Sequence, residues 1–168
     1  MSNEKIAIII RGPAAVGKTT IAQALKEALP EYVLLSIDMF RHMISKESTA
    51  FRRTIARNVG EYFLKQVTEN NLPVILEEVF HDDYHERLVS ILNDKGYHIL
   101  GVFIDAPKDV LLSRNRNRSK VKSDEVILRF AGQSKAKDGE LVIDANSYSA
   151  AEIVEQIVIK VEELRLSS

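Results

Sequence analysis

The residues best suited to chemistry lie in one short run at positions 12–19, which reads Gly-Pro-Ala-Ala-Val-Gly-Lys-Thr. Glycines let the backbone curl tightly, so that successive N–H groups turn toward an anion. The lysine adds a mobile cation, and the threonine hydroxyl is a ligand that suits Mg²⁺. The run matches the phosphate-binding pattern G-x-x-x-x-G-K-[ST] in full. The residues expected to hold a nucleotide's phosphates are Gly12, Pro13, Ala14, Ala15, Val16, Gly17, Lys18, Thr19 and Thr20.

The surroundings of this run also suit a phosphate site. Residues 6–10 are almost entirely isoleucine, the pattern of a strand buried on both faces of a parallel sheet. Apolar residues then recur at helical spacing over residues 18–29, up to Pro30. A helix that begins near Lys18 directs the positive end of its dipole at a bound anion. A glycine-rich turn without a ligand is the alternative, and the agreement of motif with setting disfavours it.

Further polar side chains follow the predicted second and third strands. Asp38 and Arg41 come just after the second strand, and their spacing puts them on one face of a helix. Glu77 and Glu78 stand at the end of the third. Ligands of parallel α/β sheets bind at the carboxyl ends of the strands, so these side chains are candidates for a site. Asp38 can equally cap the N-terminus of its helix, and the two glutamates can simply be solvated.

Strands and helices alternate along the whole chain, which predicts βαβ units and a parallel sheet covered on both faces. The expected fold is therefore a three-layer α/β/α P-loop NTPase fold with a five-stranded parallel sheet. The strands are predicted at residues 6–10, 32–36, 73–77, 97–104 and 140–144. Helices are predicted at residues 18–29, 38–46, 81–92 and 124–131, with others between and after them. One long helix is expected to bury Ile55, Val59, Tyr62, Phe63 and Val67.

Composition excludes several classes of protein. The 168 residues contain no cysteine, so a disulfide scaffold, a thiol nucleophile and a cysteine-bound metal are ruled out. The net charge of −1 does not indicate a globally basic nucleic-acid binder. The apolar run at residues 6–10 is too short for a membrane span and has no signal-peptide cleavage site. We therefore expect a cytoplasmic protein with no membrane partner, and the sequence leaves its oligomeric state open.

These motifs together resemble the P-loop small-molecule kinases. The nearest likeness is to the branch of chloramphenicol phosphotransferase-like, zeta-toxin-like and polynucleotide-kinase-like proteins, and it spans nearly the whole chain. The resemblance implies one kinase domain over residues 1–168, with a short arginine-bearing lid around 114–124. It also implies ATP and Mg²⁺ as the bound cofactors and a small molecule as the acceptor.

The resemblance assigns roles to individual residues. Asp38 is expected to face the acceptor hydroxyl as general base, with Arg41 and Glu78 beside the acceptor. Glu77 fits the acidic position that holds Mg²⁺ together with Thr19. A glycine is common in relatives where Glu78 stands, which leaves open whether Glu77 or Glu78 serves the metal.

The same likeness extends to the second half of the chain. Arg114 and Arg118 share a helical face and are expected to neutralise charge on the transferring phosphoryl group, together with Lys18. Arg118 is also expected to bind the nucleotide. A solvated helix end, where cations are favourable, is the alternative for both arginines. The loop that contains Asn146 is expected to border the adenine base.

The sequence is consistent with three alternative functions. The leading prediction is a kinase that transfers the γ-phosphate of Mg·ATP to a hydroxyl group of a small molecule. A polynucleotide 5′-hydroxyl kinase has the same Asp-x-x-Arg pattern, but the near-neutral chain lacks an evident basic stripe for nucleic acid. A non-catalytic ATP-binding regulator is the third. The chain contains no Asn-Lys-x-Asp motif for guanine, which argues against a GTPase.

Overall fold

A computed structural model describes residues 5–44, 49–77, 82–118 and 121–167. Within these residues five strands form one parallel sheet in the order β2-β3-β1-β4-β5. The strands are β1 (Ile6–Arg11), β2 (Val33–Ser36), β3 (Val74–Glu77), β4 (His98–Asp105) and β5 (Leu141–Asp144). The sheet confirms the predicted α/β fold class and its all-parallel topology.

Seven helices connect and cover the strands in the described part of the chain. They are α1 (Lys18–Ala28), α2 (Ile37–Met43), α3 (Thr49–Glu69), α4 (Asp82–Asp94), α5 (Lys108–Arg116), α6 (Asp124–Gln133) and α7 (Ala150–Ser167). The predicted bounds of most elements agree to within two residues. The helix predicted at 38–46 begins at Ile37 and ends at Met43, and residues 45–48 lie outside the described part. None of the described helices has the length and apolar character that crossing a lipid bilayer requires.

One face of the sheet packs against α1, α5, α6 and α7. The alternate isoleucines of β1 point to this face, because successive side chains of a strand point to opposite sides. They belong to one core cluster with buried side chains from each of the four helices. Members of this cluster include Ile6, Ile8, Ile10, Ile21, Leu25, Leu111, Ile127, Ile153, Ile157 and Val161.

The opposite face packs against α3 and α4, and here the predicted buried stripe on α3 is wrong at three of its five positions. Val59, Tyr62 and Phe63 are exposed, with 66% of the Tyr62 surface in contact with solvent. Val67 is buried as predicted and Ile55 is half-buried, and the buried side of α3 also includes Ala56, Gly60 and Leu64. A methyl group at position 60 would stand 2.2 Å from Ile37 Cδ1 and 2.9 Å from the Tyr84 hydroxyl. The helix turns its small residues inward because its neighbours pack this closely.

The sheet order brings the chemistry-bearing strand ends together. β3 lies between β1 and β2, and Glu77 is in register with Ile10 on one side and Ser36 on the other. The residues that follow β1, β2 and β3 therefore meet at one edge of the sheet. This is the edge at which ligands bind in parallel α/β proteins.

A buried ion pair fixes the end of β1 to the segment before β5. Arg11 Nη1 donates to both carboxylate oxygens of Glu140, at 2.7 and 2.8 Å, and Nη2 donates to the Lys135 carbonyl. The Arg11 guanidinium also lies 5.8 Å from the ring centroid of Phe103. Both charged side chains are more than 90% buried. Removal of one partner would leave a buried charge uncompensated.

We predict that Glu140→Ala lowers the free energy of unfolding by about 3–5 kcal/mol, because the Arg11 charge stays buried without its partner. Urea unfolding followed by circular dichroism measures this. Glu163→Ala is the matched control, since Glu163 forms an exposed ion pair with Lys160 at 2.6 Å and should cost less than about 1 kcal/mol. The double change Arg11→Met with Glu140→Leu should recover most of the loss. Equal effects of Glu140→Ala and Glu163→Ala would contradict a stabilising role for the buried pair.

Candidate active site

The loop between β1 and α1 adopts the curled backbone that an anion site needs. Gly12, Ala15 and Gly17 all have positive φ angles, of 143°, 69° and 108°. A Cβ atom at Gly12 would stand 2.2 Å from the carbonyl oxygen of Ile104 on β4. Glycine is therefore required at this position by both conformation and space. The turn ends at Gly17, the N-cap of α1, so the free N–H groups of the helix point into the site.

Lys18 lies beneath this loop with its ammonium group buried. The Nζ atom donates to the carbonyl oxygens of Gly12 at 3.0 Å and Pro13 at 2.8 Å. Burial lowers the pKa of Lys18 to about 8, although the nearby carboxylates of Glu77 and Asp38 oppose that shift. A bound polyanion would restore the charged form and offer the ammonium a stronger partner than two neutral carbonyl groups.

The Glu77 carboxylate is held between two hydroxyl groups. Thr19 Oγ1 donates to Oε1 at 3.2 Å, and Ser36 Oγ donates to Oε2 at 2.8 Å. Glu77 is almost fully buried, with 4% of its surface exposed. The contact with Thr19 links the end of β3 to the first turn of α1. It therefore brings the two residues predicted to serve the metal to one point.

Asp38 lies in the first turn of α2 and forms an ion pair with Arg41. The distance from Arg41 Nη1 to Asp38 Oδ1 is 2.6 Å, and both side chains are partly exposed. The N-cap position of α2 belongs to Ser36, so Asp38 does not cap the helix. Arg52 of α3 donates through Nε and Nη2 to the Arg41 carbonyl oxygen, which fixes the end of the short helix. Arg41 thus contacts the Asp38 carboxylate directly, and Arg52 secures the backbone of Arg41.

These groups open onto a single cavity of about 400 Å³, a volume typical of small-ligand sites. The phosphate loop, the first turn of α1, Asp38 and Glu77 line one part of it. The rest is lined by residues of α5, of the segment between α5 and α6, of the loop after β5 and of α7. The lining residues are Ala14, Ala15, Val16, Gly17, Lys18, Thr19, Thr20, Ile21, Asp38, Glu77, Arg114, Arg118, Lys122, Ala145, Tyr148, Ala150 and Ile153.

Arg114 in α5 and Arg118, two residues after that helix, are both predicted site residues, but they differ in their contacts. Arg114 Nη1 donates to the Val16 carbonyl oxygen at 2.9 Å, and Nη2 donates to the Ala145 carbonyl oxygen at 2.6 Å. Its guanidinium therefore ties the phosphate loop to the loop after β5. Arg118 is exposed and close enough to Lys18 to lower the pKa of that lysine, as a smaller effect than burial. A role in transfer stays a prediction for both residues.

The loop after β5 lines the cavity, but not through the predicted residue, Asn146. Asn146 is exposed and does not line the cavity; its backbone N–H donates to Asp144 Oδ1 at 2.9 Å. Ala145 and Tyr148 line the cavity from this loop, followed by Ala150 and Ile153 of α7. Contact between Asn146 and a nucleotide base stays a prediction. The apolar character of the lining on this side suits a flat aromatic ring.

Most of the predicted site residues come together at this cavity. Gly12 and Pro13 lie at the base of the loop, where they accept hydrogen bonds from Lys18 and do not line the cavity. Arg41 pairs with Asp38 but does not itself line the cavity. Glu78 lies outside the described residues, so its part in acceptor or metal binding stays a prediction.

Sequence reasoning did not assign Ser36, Lys122 or Tyr148 to the site. Ser36 ends β2 just as Glu77 ends β3, so the strand-end rule that selected Glu77 could have found it. Lys122 lies in a polar segment where many side chains are solvated, and Tyr148 lies in a turn. Nothing in the sequence alone distinguishes those two from their neighbours.

The oxygen ligands at this edge of the sheet fit Mg²⁺. Magnesium in phosphate sites takes one or two carboxylates together with phosphate oxygens and water. Glu77 and Thr19 supply a carboxylate and a hydroxyl oxygen within hydrogen-bond distance of each other. Beyond these, the described residues include no group of three or more His, Asp or Glu side chains able to hold a metal ion.

Several solved structures share this fold. The tunicamycin resistance protein of Deinococcus radiodurans aligns with a TM-score of 0.71 at 22% identity, covering 94% of this chain and 96% of its own. A gluconokinase from Sinorhizobium meliloti aligns with a TM-score of 0.68 at 17% identity, covering 98% of each chain. At these identities the similarity establishes the fold.

A third similar structure was solved with ligands. The Mycobacterium tuberculosis APS kinase in complex with AMPPNP and APS has a TM-score of 0.69 at 16% identity, covering 95% of this chain and 98% of its own. A search of curated proteins gave no match.

The family comparison covers most of the chain. A family model described as an AAA domain matches residues 8–146, which include the phosphate loop, Asp38, Glu77, Arg114 and Arg118. That match runs from the first strand to the loop after the fifth. With its kinase-like P-loop fold, the chain belongs to the AAA domain family.

Proposed function

We propose that this protein is a kinase that transfers the γ-phosphoryl group of Mg·ATP to a hydroxyl group of a small molecule. The observation that carries the proposal is that Lys18, Glu77 and Asp38 line the same cavity. These three residues supply the cation, the metal-directed carboxylate and the proton acceptor that phosphoryl transfer requires. A phosphate site alone would fit many proteins, and the carboxylate of Asp38 beside it favours a kinase.

The loop residues support binding of a triphosphate. The free N–H groups at the start of α1, the dipole of that helix and the Lys18 ammonium act on the same anion. A bound Mg²⁺ would neutralise charge on the phosphates. Thr19 and Glu77 would hold it, and Ser36 keeps the Glu77 carboxylate aimed at that point.

Asp38 is the proposed general base. Its carboxylate would accept the proton of the acceptor hydroxyl as the oxygen–phosphorus bond forms. The ion pair with Arg41 restricts the rotation of this carboxylate, and Arg52 secures the backbone of Arg41. Arg41 and, from outside the described residues, Glu78 are the side chains that we propose beside the acceptor.

The similar structures support a small molecule as the acceptor. A gluconokinase and an APS kinase share the fold over nearly their full length. Because these named acceptors differ, the fold itself does not select one. We infer that residues 1–168 form one kinase domain whose acceptor is chosen by side chains around Asp38.

A phosphoryl-transfer screen tests the proposed reaction. The intact chain is incubated with Mg²⁺, γ-labelled ATP and panels of sugars, nucleosides, hydroxylated antibiotics and oligonucleotides. We expect label to enter one class of small hydroxyl compound. Label in oligonucleotides alone would instead support a polynucleotide kinase. ATP binding with no transfer to any panel would support a regulator.

We predict that Asp38→Asn lowers kcat for phosphoryl transfer by roughly 10²–10⁴, because the amide cannot accept the hydroxyl proton. The affinity for ATP, measured by calorimetry, should stay nearly unchanged. Asp124→Asn is the matched control, because Asp124 also forms an ion pair with an arginine, Arg116, but does not line the cavity. An Asp38→Asn variant with normal kcat would exclude the general-base role.

We predict that ATP affinity falls as pH rises above about 8, because the free protein then loses the Lys18 proton that the bound triphosphate requires. Below that pH the ammonium is already charged, so affinity should change little. Calorimetry between pH 7 and 9.5 should show Kd rising toward tenfold per pH unit, with about one proton taken up per ATP.

Two variants at this position isolate the effect. Lys18→Arg should remove the pH dependence, because a guanidinium stays charged throughout this range. Lys18→Ala should weaken ATP binding at every pH. A wild-type Kd that is constant from pH 7 to 9.5 would contradict direct contact between the Lys18 ammonium and the phosphates.

A further inference from the structure

We propose that Lys122 is an additional phosphate-binding residue of this cavity and that Asn115 is the positioning residue that holds it there. The inference rests on the proposed binding of ATP at the loop of residues 12–19. It adds a specific cation and a specific support to that site, and neither follows from the phosphate-binding motif.

Asn115 is a fully buried amide whose side chain is committed to a single partner. Its Nδ2 donates to the Lys122 carbonyl oxygen at 2.7 Å, and its Oδ1 accepts the Lys122 backbone N–H at 3.1 Å. Both polar ends of the side chain are thus bonded to the backbone of one residue seven positions later. Each such buried hydrogen bond is costly to lose, so the position of the Lys122 backbone is well defined.

Lys122 is an exposed residue that lines the same cavity as Lys18 and Arg118. Its charge lowers the pKa of Lys18, an effect smaller than that of burial, which agrees with two ammonium groups facing one space. The Lys122 Nζ lies 5.6 Å from the ring centroid of Phe130, a favourable but weak contact for a cation.

Four cationic side chains line this cavity, namely Lys18, Arg114, Arg118 and Lys122, against the two carboxylates of Asp38 and Glu77. This excess of positive charge is unfavourable unless an anion binds there, and a triphosphate carries enough charge to reverse the balance. Arg116 provides the contrast within the same segment. Its guanidinium pairs with Asp124 at 2.9 Å and does not line the cavity. In this region Arg116 is thus paired away from the cavity, whereas Lys122 lines it.

Nucleotide binding by the intact protein tests the proposal. We expect Lys122→Met to weaken ATP binding by roughly 3- to 10-fold. This effect lies at or below the low end of the range for charge-assisted hydrogen bonds, because Lys122 is exposed to solvent. Binding of AMP, which lacks the outer phosphates, should change much less. Lys122→Arg should retain the wild-type preference for ATP over AMP. Arg116→Met, the matched control, should leave both affinities unchanged.

Asn115→Ala tests the support. It should reduce the ratio of ATP affinity to AMP affinity as Lys122→Met does, because the lysine is no longer held at the cavity. In a double-mutant cycle the two changes should be non-additive, with little further loss of that ratio when Asn115→Ala is added to Lys122→Met. A general loss of stability would lower both affinities equally and leave the ratio unchanged. If Asn115→Ala does not fold, the two variants Lys122→Met and Lys122→Arg decide the proposal.

The outcomes separate this inference from the function on which it rests. Wild-type protein that binds ATP, alongside Lys122→Met with an unchanged ATP-to-AMP ratio, would overturn the role of Lys122 and leave the kinase proposal intact. Additive effects of Asn115→Ala and Lys122→Met would overturn the positioning role. Wild-type protein that binds no nucleotide would overturn both the kinase proposal and this inference.

Discussion

The close approach of the phosphate loop to strand β4 is the constraint on which the site depends. Gly12 stands so near the Ile104 carbonyl oxygen that a side chain would overlap it. This approach allows the backbone to turn back over Lys18 and enter α1 with its N–H groups free. A bulkier residue at Gly12 would push the loop away from β4. The carbonyl contacts of Lys18 and the direction of the helix N-terminus would both be lost.

The order of the strands then determines which charges surround that loop. Because β3 lies beside β1, Glu77 reaches the first turn of α1, and because β2 lies beside β3, Ser36 reaches Glu77. The buried Glu77 carboxylate lies close enough to Lys18 to favour the charged form of the lysine, which opposes the effect of burial on the Lys18 pKa. At the end of β1, Arg11 and Glu140 form a second pair of buried charges, which secures the segment before β5. Both pairs lie near the carboxyl edge of the sheet, where a rigid backbone is needed to orient ligands.

The phosphate loop, the five strands and the parallel sheet could be predicted from sequence because each has a strong local signal. A complete motif between an isoleucine run and an amphipathic helix has few other interpretations. The buried face of α3 could not be predicted in the same way. Its exposed side carries Val59, Tyr62 and Phe63, while Gly60 lies on the buried side because Ile37 and Tyr84 pack closely there. Size complementarity between distant elements decides that face, and hydrophobic periodicity does not measure it.

The same limit applies within the site. The positions of Asp38 and Glu77 follow from the rule that strand ends meet. The two hydrogen bonds of Arg114 to the Val16 and Ala145 carbonyl oxygens depend instead on three elements meeting at one guanidinium. The contact of Asn115 with Lys122 joins residues seven positions apart, and no local pattern in the sequence marks it.

The central claim is that the curled backbone at residues 12–19 binds a nucleotide's phosphates. Titration of the isotope-labelled protein with Mg·ATP, followed through its backbone amide resonances, tests it most directly. We expect the largest chemical-shift changes at the amides of the loop and the first turn of α1, and similar changes at the loop with inorganic pyrophosphate. Resonances of the loop that do not respond to ATP or pyrophosphate, or changes centred elsewhere in the chain, would contradict the account.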